Sequence, residues 1–498
     1  MERHNANLLS CPWIPVRWQG TKKKITLQEL LCSSDSGDIC CTRDDMEFAC
    51  LQLLAAITQV CFTPSDKKDL LSRLKQPLTI EEFKAGIEGK QDWFNLNHPD
   101  TPFMQFRGVK ATNTTPMDKL LAGVADGTSK AFINPPGLAK GVCVSCAAIA
   151  LFNTASNSPN IGGGFKAGLR GCTPITQLIL GPDLRQSVWL NVLHEERLNE
   201  VMPWYQETLQ QRPNYVDKVK AEEKINTSNI GLIRGLLWQP AHFELLPSTE
   251  GRCSVCNADS HIYTGFNKEK FNYTVDGIWP HPLSPRTFKV MKGVKEEKFL
   301  SFTTTAPGWT HLSSLMVNRQ SEKEGHLLSP VLVQARDRLI RPDRLQFVIG
   351  GYRNNKAVVL DRRHEFFDLS NGWAEHSSEI HRIIETGLGY KTALCKSLEG
   401  IKDKKKGAGV NLCRPAEALY FQQTNQWLHE TIGSIDFETP EPTMKYLRQQ
   451  LKQTVLKLFD QVTKPYCQEL KMLKALAMAR KSLNKSLAAL QPLTSKEH

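Results

Sequence analysis

Four cysteines offer the clearest chemistry in the chain. Cys143-Val-Ser-Cys146 and Cys253-Ser-Val-Cys256 are two Cys-x-x-Cys pairs. A two-residue spacer lets both sulfurs of a pair reach one tetrahedral metal, and two pairs complete the four-sulfur shell that zinc favours. Such a shell has no open coordination position, so a metal held there is structural. The 106 residues between Cys146 and Cys253 exceed the spacing of a compact zinc ribbon, so the ion would staple two distant loops. The competing reading is four unrelated reduced thiols. A redox pair needs a thioredoxin-like strand-to-helix context, and neither pair has a clear one.

Three further segments could meet a ligand. Asn160-Ile161-Gly162-Gly163-Gly164-Phe165-Lys166-Ala167-Gly168 is glycine-rich. No Gly-Lys-Ser/Thr follows, so it is not a Walker loop, and it lacks the dinucleotide fingerprint. It offers bare backbone that can approach a ligand closely; a plain flexible loop is the alternative. Tyr263 to Phe271 places Lys268 and Lys270 at the expected start of a strand, and Gly351 to Ala357 is a donor-rich turn. Each alone is an ordinary turn. As a set they supply backbone amides, cations and amide side chains, which suits nucleic acid.

Catalytic constellations are missing. There is no Gly-x-Ser-x-Gly, no His-Glu-x-x-His and no carboxylate cluster spaced for two metals. His98, His242, His281 and His364 read as structural. A metal-dependent nuclease whose site escapes these motifs is the rival reading, and an assembly scaffold without DNA contact is a second.

The elements that must position these residues fall into two textures. A length of 498 residues implies two or three domains, and 40% apolar with 23% charged residues is a globular composition. Up to about residue 370 the pattern is mixed. Asp44 to Val60 predicts a helix capped by Asp44 or Asp45, and Leu184 to Leu193 a second. Thr173 to Leu180, Gly231 to Leu246 and Lys270 to Val275 read as strands. Leu345 to Gly350 and Ala357 to Leu360 read as a hairpin around Arg353-Asn354-Asn355-Lys356. Long polar or Gly/Pro-rich loops intervene, and loops of that length usually bind something.

After residue 375 four helical stretches follow, at 377–397, 412–432, 441–463 and 466–490. Short connections between amphipathic helices predict an up-down four-helix bundle. The expected class is therefore α+β: a mixed domain over 1–370 and a helical bundle over 371–498. In the last helix Leu470, Leu473, Leu476, Ala477, Leu483, Leu487 and Leu490 share one side. Lys471, Lys474, Lys481 and Lys485 lie within about 80° of each other on the other. The preceding helix carries Lys445, Arg448 and Lys452 within about 60°. Solvated faces normally mix signs, so these stripes point equally to a polyanion and to plain exposed surface.

The charge balance agrees. Lys and Arg number 63 against 51 Asp and Glu, a net charge of +12. From His376 onward 19 basic residues face 12 acidic ones, so the last quarter holds +7 of that excess. No run of about 18 apolar residues occurs, so no membrane span is expected. The residues after Met1 lack the apolar core of a signal peptide, and a cytoplasmic location with mostly reduced thiols is expected.

Many of these stretches match a known family. Trp13-Ile14-Pro15-Val16, Arg43-Asp44-Asp45-Met46-Glu47, Leu96-Asn97-His98, Pro102-Phe103-Met104-Gln105 and Pro116 to Gly123 resemble the CasA family. So do Ala147 to Asn153, Gly162 to Gly171, Leu237-Trp238-Gln239-Pro240-Ala241-His242 and Gly350 to Asn355. CasA proteins are the large subunits of type I-E CRISPR surveillance complexes (Cascade), and the resemblance is collinear along essentially the whole chain.

The resemblance implies a non-catalytic subunit beside the 5′ handle of the CRISPR RNA. It would recognise the protospacer-adjacent motif (PAM) in double-stranded target DNA from the minor groove. It would wedge the duplex open, help hold the displaced strand and dock a helicase–nuclease. Residue by residue, Gly163 would press its backbone against the PAM and Lys270 would enter the minor groove. Asn355, Lys356 and Ala357 would form the wedge. Phe132, Ile133 and Asn134 would meet the handle end of the complex and the PAM region, and the other Cascade subunits would be partners. Cys143, Cys146, Cys253 and Cys256 match the family's zinc ligands. One departure stands out: a family member carries glutamine at the wedge position held here by Lys356. Lysine can intrude between base pairs and contact phosphate, but it offers no carbonyl acceptor to a base edge.

Overall fold

The computed structural model describes residues 5–124, 137–205, 222–318, 321–337, 340–399, 401 and 411–491. The chain divides into two compact units. One comprises Met1–Thr304, Arg319–Pro342 and Gln346–Phe366; the other comprises Thr305–Asn318, Asp343–Leu345 and Phe367–His498.

The first unit is mixed α/β with many short strands. Its central helix, Asp44–Cys61, packs against the helix Val144–Ser156. Apart from Asp44 and Glu47, every residue of the Asp44–Cys61 helix is buried, including Gln52, Thr58 and Gln59. It is therefore a core helix on all sides and not the one-sided helix its leucine spacing predicts. The expected Asp cap is also replaced. Arg43 occupies the N-cap without a side-chain bond, while Asp44, Asp45 and Glu47 sit in the first turn, where carboxylates favour the positive end of the helix dipole.

Three small antiparallel sheets position the residues of interest. Val142–Cys143 pairs with Asp259–Tyr263, which pairs with Thr249–Arg252. Gly265–Glu269 lies between Thr115–Pro116 and His242–Leu245. Leu345–Asn355 lies between Val358–Leu369 and Thr176–Leu180, with Gly350 opposite Thr176.

Two expectations are corrected here. The apolar run from Gly231 to Leu246 is not a strand throughout: Leu232–Leu236 is helical and only His242–Leu245 is extended. Short apolar runs are ambiguous between buried helix and strand. Lys270 does not open a strand either. It follows the strand Gly265–Glu269, and the next strand is Tyr273–Asp276. The 345–369 hairpin is present but longer than its alternation suggests, because both strands continue through buried positions such as Tyr352 and Phe367.

The second unit contains four long helices, Ser377–Glu399, Cys413–Ser434, Glu441–Thr463 and Leu470–Ala489. The first of them touches each of the other three. Its inner face presents Ile380, Ile383, Ile384, Tyr390 and Leu394, and full burial of one such aliphatic side chain stabilises by about 1.5–3 kcal/mol. Gly387 lets the fully buried Trp309 ring approach, since an added Cβ would meet it at 3.1 Å. Trp309 comes from the short insertion Thr305–Asn318, which the sequence pattern alone assigns to the mixed region. The last helix also departs from expectation. Leu476, Ala479, Leu483 and Leu487 are buried, but Leu470 is 85% exposed and Leu473 45% exposed. The apolar stripe is thus seated only from Leu476 onward, and Ala477, expected to share it, is exposed.

Candidate functional site

Three consecutive residues of the glycine-rich loop, Gly162, Gly163 and Gly164, have positive φ (80°, 59° and 85°). Side chains disfavour that region, so the glycines are required for this path. Asn160 Oδ1 accepts from the Gly162 amide at 3.3 Å, and the Phe165 amide donates back to the Gly162 carbonyl at 3.1 Å. The far end of the loop is anchored by Arg170, a buried arginine. Its guanidinium donates to Thr176 Oγ1 and Ser284 Oγ, both at 2.7 Å. It also donates to the Ser156 carbonyl and Asn157 Oδ1, both at 2.9 Å. Burial pulls the guanidinium below the usual arginine range, so these four acceptors are what make an ion tolerable there.

The strand Gly265–Glu269 and the segment after it are tied to this loop at three points. Lys270 Nζ donates to the Gly163 carbonyl at 3.2 Å. Tyr273 donates its hydroxyl to the Ala167 carbonyl at 3.2 Å and accepts from Trp238 Nε1 at 3.0 Å. Lys268 Nζ lies 5.5 Å from the Phe165 ring centre. Phe271, stacked on His242 with centroids 4.3 Å apart, holds the intervening backbone.

The hairpin tip completes the arrangement. Asn355 and Lys356 are exposed. Lys356 has φ 54°, unusual for a residue with a long side chain. Asn354 braces it, donating from Nδ2 to the Lys356 carbonyl at 2.5 Å and accepting from Thr173 Oγ1 at 2.8 Å. A Cβ added at Gly162 would lie 3.8 Å from the Ala357 methyl, so the tip abuts the glycine loop. Below the tip the strand is tied into the core. Tyr352 donates to Asp45 Oδ2 at 2.9 Å, and Asn153 Nδ2 donates to the Tyr352 hydroxyl at 2.7 Å. Arg43 grips Asp45 and donates to the Ala122 carbonyl at 3.1 Å. Between loop, tip and the 119–124 segment lies a cavity of about 290 Å³, with Lys119, Ser158, Lys268 and Ala357 among its walls.

Gly163, Lys270 and the 355–357 tip therefore lie together although nearly 200 residues separate the ends of the set. The assembly presents two exposed ammonium groups, Lys270 and Lys356, around backbone free of side chains. Chemically it can cradle and contact an anionic polymer. Tyr273 carries no motif that marks it in the sequence, and although Asp45, Asn153 and Tyr352 lie in stretches that resemble the family, nothing in those stretches signals that the three meet. Arg170 lies in the stretch that resembles the family, but nothing in its neighbours signals burial.

The cysteines converge as well. The sulfurs of Cys143, Cys146, Cys253 and Cys256 all lie within 4.8 Å of one another. A tetrahedral zinc with bonds of about 2.3 Å spaces its sulfurs by roughly 3.8 Å, and Cys143 and Cys256 stand 3.7 Å apart. The donor set thus fits a metal ion. Cys143 precedes the helix Val144–Ser156 and Cys146 lies in its first turn. Cys253 and Cys256 belong to a tight turn held by the Asn257 amide on the Cys253 carbonyl and the Ser254 amide on the Gly141 carbonyl. The neighbouring Cys143 and Cys146 sulfurs hold the Cys256 thiol below the usual thiol range.

The other predicted residues are placed as follows. Lys445, Lys471, Lys474, Lys481 and Lys485 are exposed, and Lys452 is half-buried. Arg448 is paired with Glu441 at 3.7 Å, which blunts that stripe. The helices carrying the two stripes are bridged where Arg480 reaches Asp460 at 2.6 Å. Phe132, Ile133 and Asn134 lie outside the described residues. His364 has a partner the sequence did not reveal, Asp44 Oδ2 at 3.1 Å.

Solved structures share this fold. The chain resembles Thermobifida fusca Cse1 with a TM-score of 0.74 at 17% identity, covering 97% of each chain. It resembles Thermus thermophilus CasA (Cse1) with a TM-score of 0.71 at 19% identity, covering 96% of this chain and 99% of that one. A chain in a structure described as a CRISPR RNA-guided surveillance complex matches with a TM-score of 0.61 at 15% identity, over 97% of this chain and 99% of that one. The family model for CRISPR-associated protein Cse1 matches residues 7–458. With that match running from residue 7 into the Glu441–Thr463 helix, the chain belongs to the Cse1 family.

Proposed function

We propose that this protein is the large, non-catalytic subunit of an RNA-guided CRISPR surveillance complex and reads the PAM in double-stranded DNA from the minor groove. The observation that carries the reading is the meeting of Lys270 with Gly163, 3.2 Å apart, beside Ala357 at the hairpin tip. A minor groove offers a degenerate pattern, mainly A·T against G·C. A lysine and a bare glycine backbone can use that pattern and reject a guanine amino group sterically. Such a reader tolerates several PAMs. Asn355, Lys356 and Ala357 then prise apart the first base step. Opening it costs a few kcal/mol, offset by the wedge and by phosphate contacts. Reading beyond the PAM falls to the guide, by the logic of other RNA-guided effectors.

The remaining parts take supporting roles. The basic residues of the Glu441–Thr463 and Leu470–Ala489 helices, set on an up-down bundle, follow the displaced strand by its phosphates. The 132–134 segment meets the CRISPR RNA 5′ handle end and the other Cascade subunits, and the assembled face recruits a helicase–nuclease. The four cysteines hold one structural zinc ion that staples the 143–146 and 253–256 segments. The site of action is the cytoplasm. No helix among the described residues is long and apolar enough to cross a membrane.

The test is photocrosslinking within the assembled complex, using duplex with a photoreactive base at each PAM position. Crosslinks to 160–168, 268–270 and 354–357 are expected. Crosslinks confined to other subunits would reduce the chain to a scaffold, and metal-dependent cutting by the purified chain would favour the nuclease reading.

A further inference from the structure

A divalent ion held by four thiolates carries a net charge of about −2. A charge taken out of water is stable only when it is paired. Cys143, Cys146 and Cys253 are buried. Backbone amides meet part of the need: the Cys143 amide lies 3.4 Å from Cys253 Sγ. The backbone at Cys256 and Ala258 also favours the thiolates of Cys253 and Cys256. Cys143 Sγ is met by a full positive charge, Lys24 Nζ at 3.2 Å.

Lys24 reaches the cluster from a different part of the chain. Its strand, Thr21–Ile25, pairs antiparallel with Ile14–Trp18 and sets Lys24 opposite Pro15. Strand alternation turns Lys23 the other way, and its ammonium sits 3.6 Å from the Trp18 ring centre. Lys22 remains exposed, whereas Lys24 is half-buried. A cavity of about 370 Å³ adjoins, with Lys24, Cys40, Cys41, Cys146 and Cys256 in its walls. It brings open space against two of the four ligand residues.

We infer that Lys24 is the outer-sphere partner of the metal, offsetting the charge of the four thiolates and holding the ion against competing ligands that enter through this cavity. The inference rests on reading the cluster as a metal site. Hydrogen bonding from an ammonium draws electron density from Cys143 Sγ, so the sulfur is less open to protonation, oxidation and exchange. Second-sphere partners of this kind typically change metal affinity by about 10–100-fold. The triple lysine run Lys22-Lys23-Lys24 then divides its labour: one exposed, one stacked on tryptophan, one on the metal ligand.

The experiment uses the purified full chain loaded with zinc, and separately with cobalt(II) as a spectroscopic probe. Lys24→Met is expected to weaken zinc binding about 10–100-fold in competition with a chromophoric chelator. It should also shift the thiolate-to-cobalt charge-transfer band to lower energy, which a purely structural lysine would not do. Lys22→Met should leave both readouts at wild type. If Lys24→Met does not fold, Lys24→Gln carries the same test, because it keeps a donor and removes the charge; a weaker change in the same direction is expected. Wild-type affinity with an unshifted band in the folded variant would overturn the role of Lys24. A wild-type chain that takes up neither zinc nor cobalt would instead overturn the metal reading itself.

Discussion

Replacing Gly163 by alanine separates folding from recognition. Gly163 has φ 59°, and a Cβ built there meets nothing within 4 Å. The folded state therefore suffers only the left-handed backbone penalty, about 1 kcal/mol for an L-residue. For a large unit this lowers the melting temperature by no more than roughly 2–4 °C. On the proposed reading, however, the new methyl stands in the space the duplex would occupy. Removing one close groove interaction costs about 1–3 kcal/mol, which is roughly 5–150-fold in affinity. Gly293 is the control: it has φ 79°, also has nothing within 4 Å, and lies in the unrelated hairpin 286–299. Assembled complexes carrying Gly163→Ala, Gly293→Ala or neither are to be compared by thermal melting and by fluorescence anisotropy on PAM duplex. Similar melting with a binding loss only in Gly163→Ala is expected. Equal binding by all three would refute the reasoning that bare backbone is needed at this loop.

Other consequences can be checked separately. Neutralising Lys471, Lys474, Lys481 and Lys485 should flatten the salt dependence of DNA binding by up to about 0.7 for each single-strand phosphate no longer neutralised, with PAM preference unchanged; an unaltered slope would make the stripe ordinary solvated surface. Arg170→Met strips the donors from four neutral acceptors and should cost about 1–3 kcal/mol for each buried acceptor left unsatisfied, read as reduced hydrogen-exchange protection across the glycine loop. The His364 hydrogen bond holds the Asp44 carboxyl well below the usual range. A depressed carboxyl contributes stability above its unfolded value near pH 4 and loses it as pH falls further. Asp44→Asn should therefore flatten the acid limb of a stability–pH curve and leave neutral pH little changed in slope.

What the sequence disclosed and what it hid have physical causes. The Cys-x-x-Cys pairs were legible because a metal shell needs particular atoms at a particular local spacing, and their sulfurs do come within 4.8 Å. The three positive-φ glycines were legible as a loop for a similar reason: composition states backbone freedom directly. The long C-terminal helices declared themselves by periodicity; the largest departure is the start of the last one, expected at 466 but found at Leu470, because Lys464–Tyr466 forms a separate 3-10 turn. Burial of a single polar residue has no such signature. Arg170 reads as one more cation, yet it sits inside the unit because Ser156, Asn157, Thr176 and Ser284 arrive from elsewhere. Periodicity also misled at Asp44–Cys61, where packing on every side erases the polar face. At Leu470 and Leu473 it implied an inward stripe, but both side chains are exposed.

The most direct trial of minor-groove reading uses the ammonium that touches Gly163. In the free protein Lys270 is exposed, so Lys270→Ala should change stability by no more than about 0.5 kcal/mol. In the assembled complex it should weaken binding to PAM duplex roughly 5–150-fold while leaving the residual affinity for PAM-less duplex unchanged. Affinities for both duplexes identical to wild type would contradict the account.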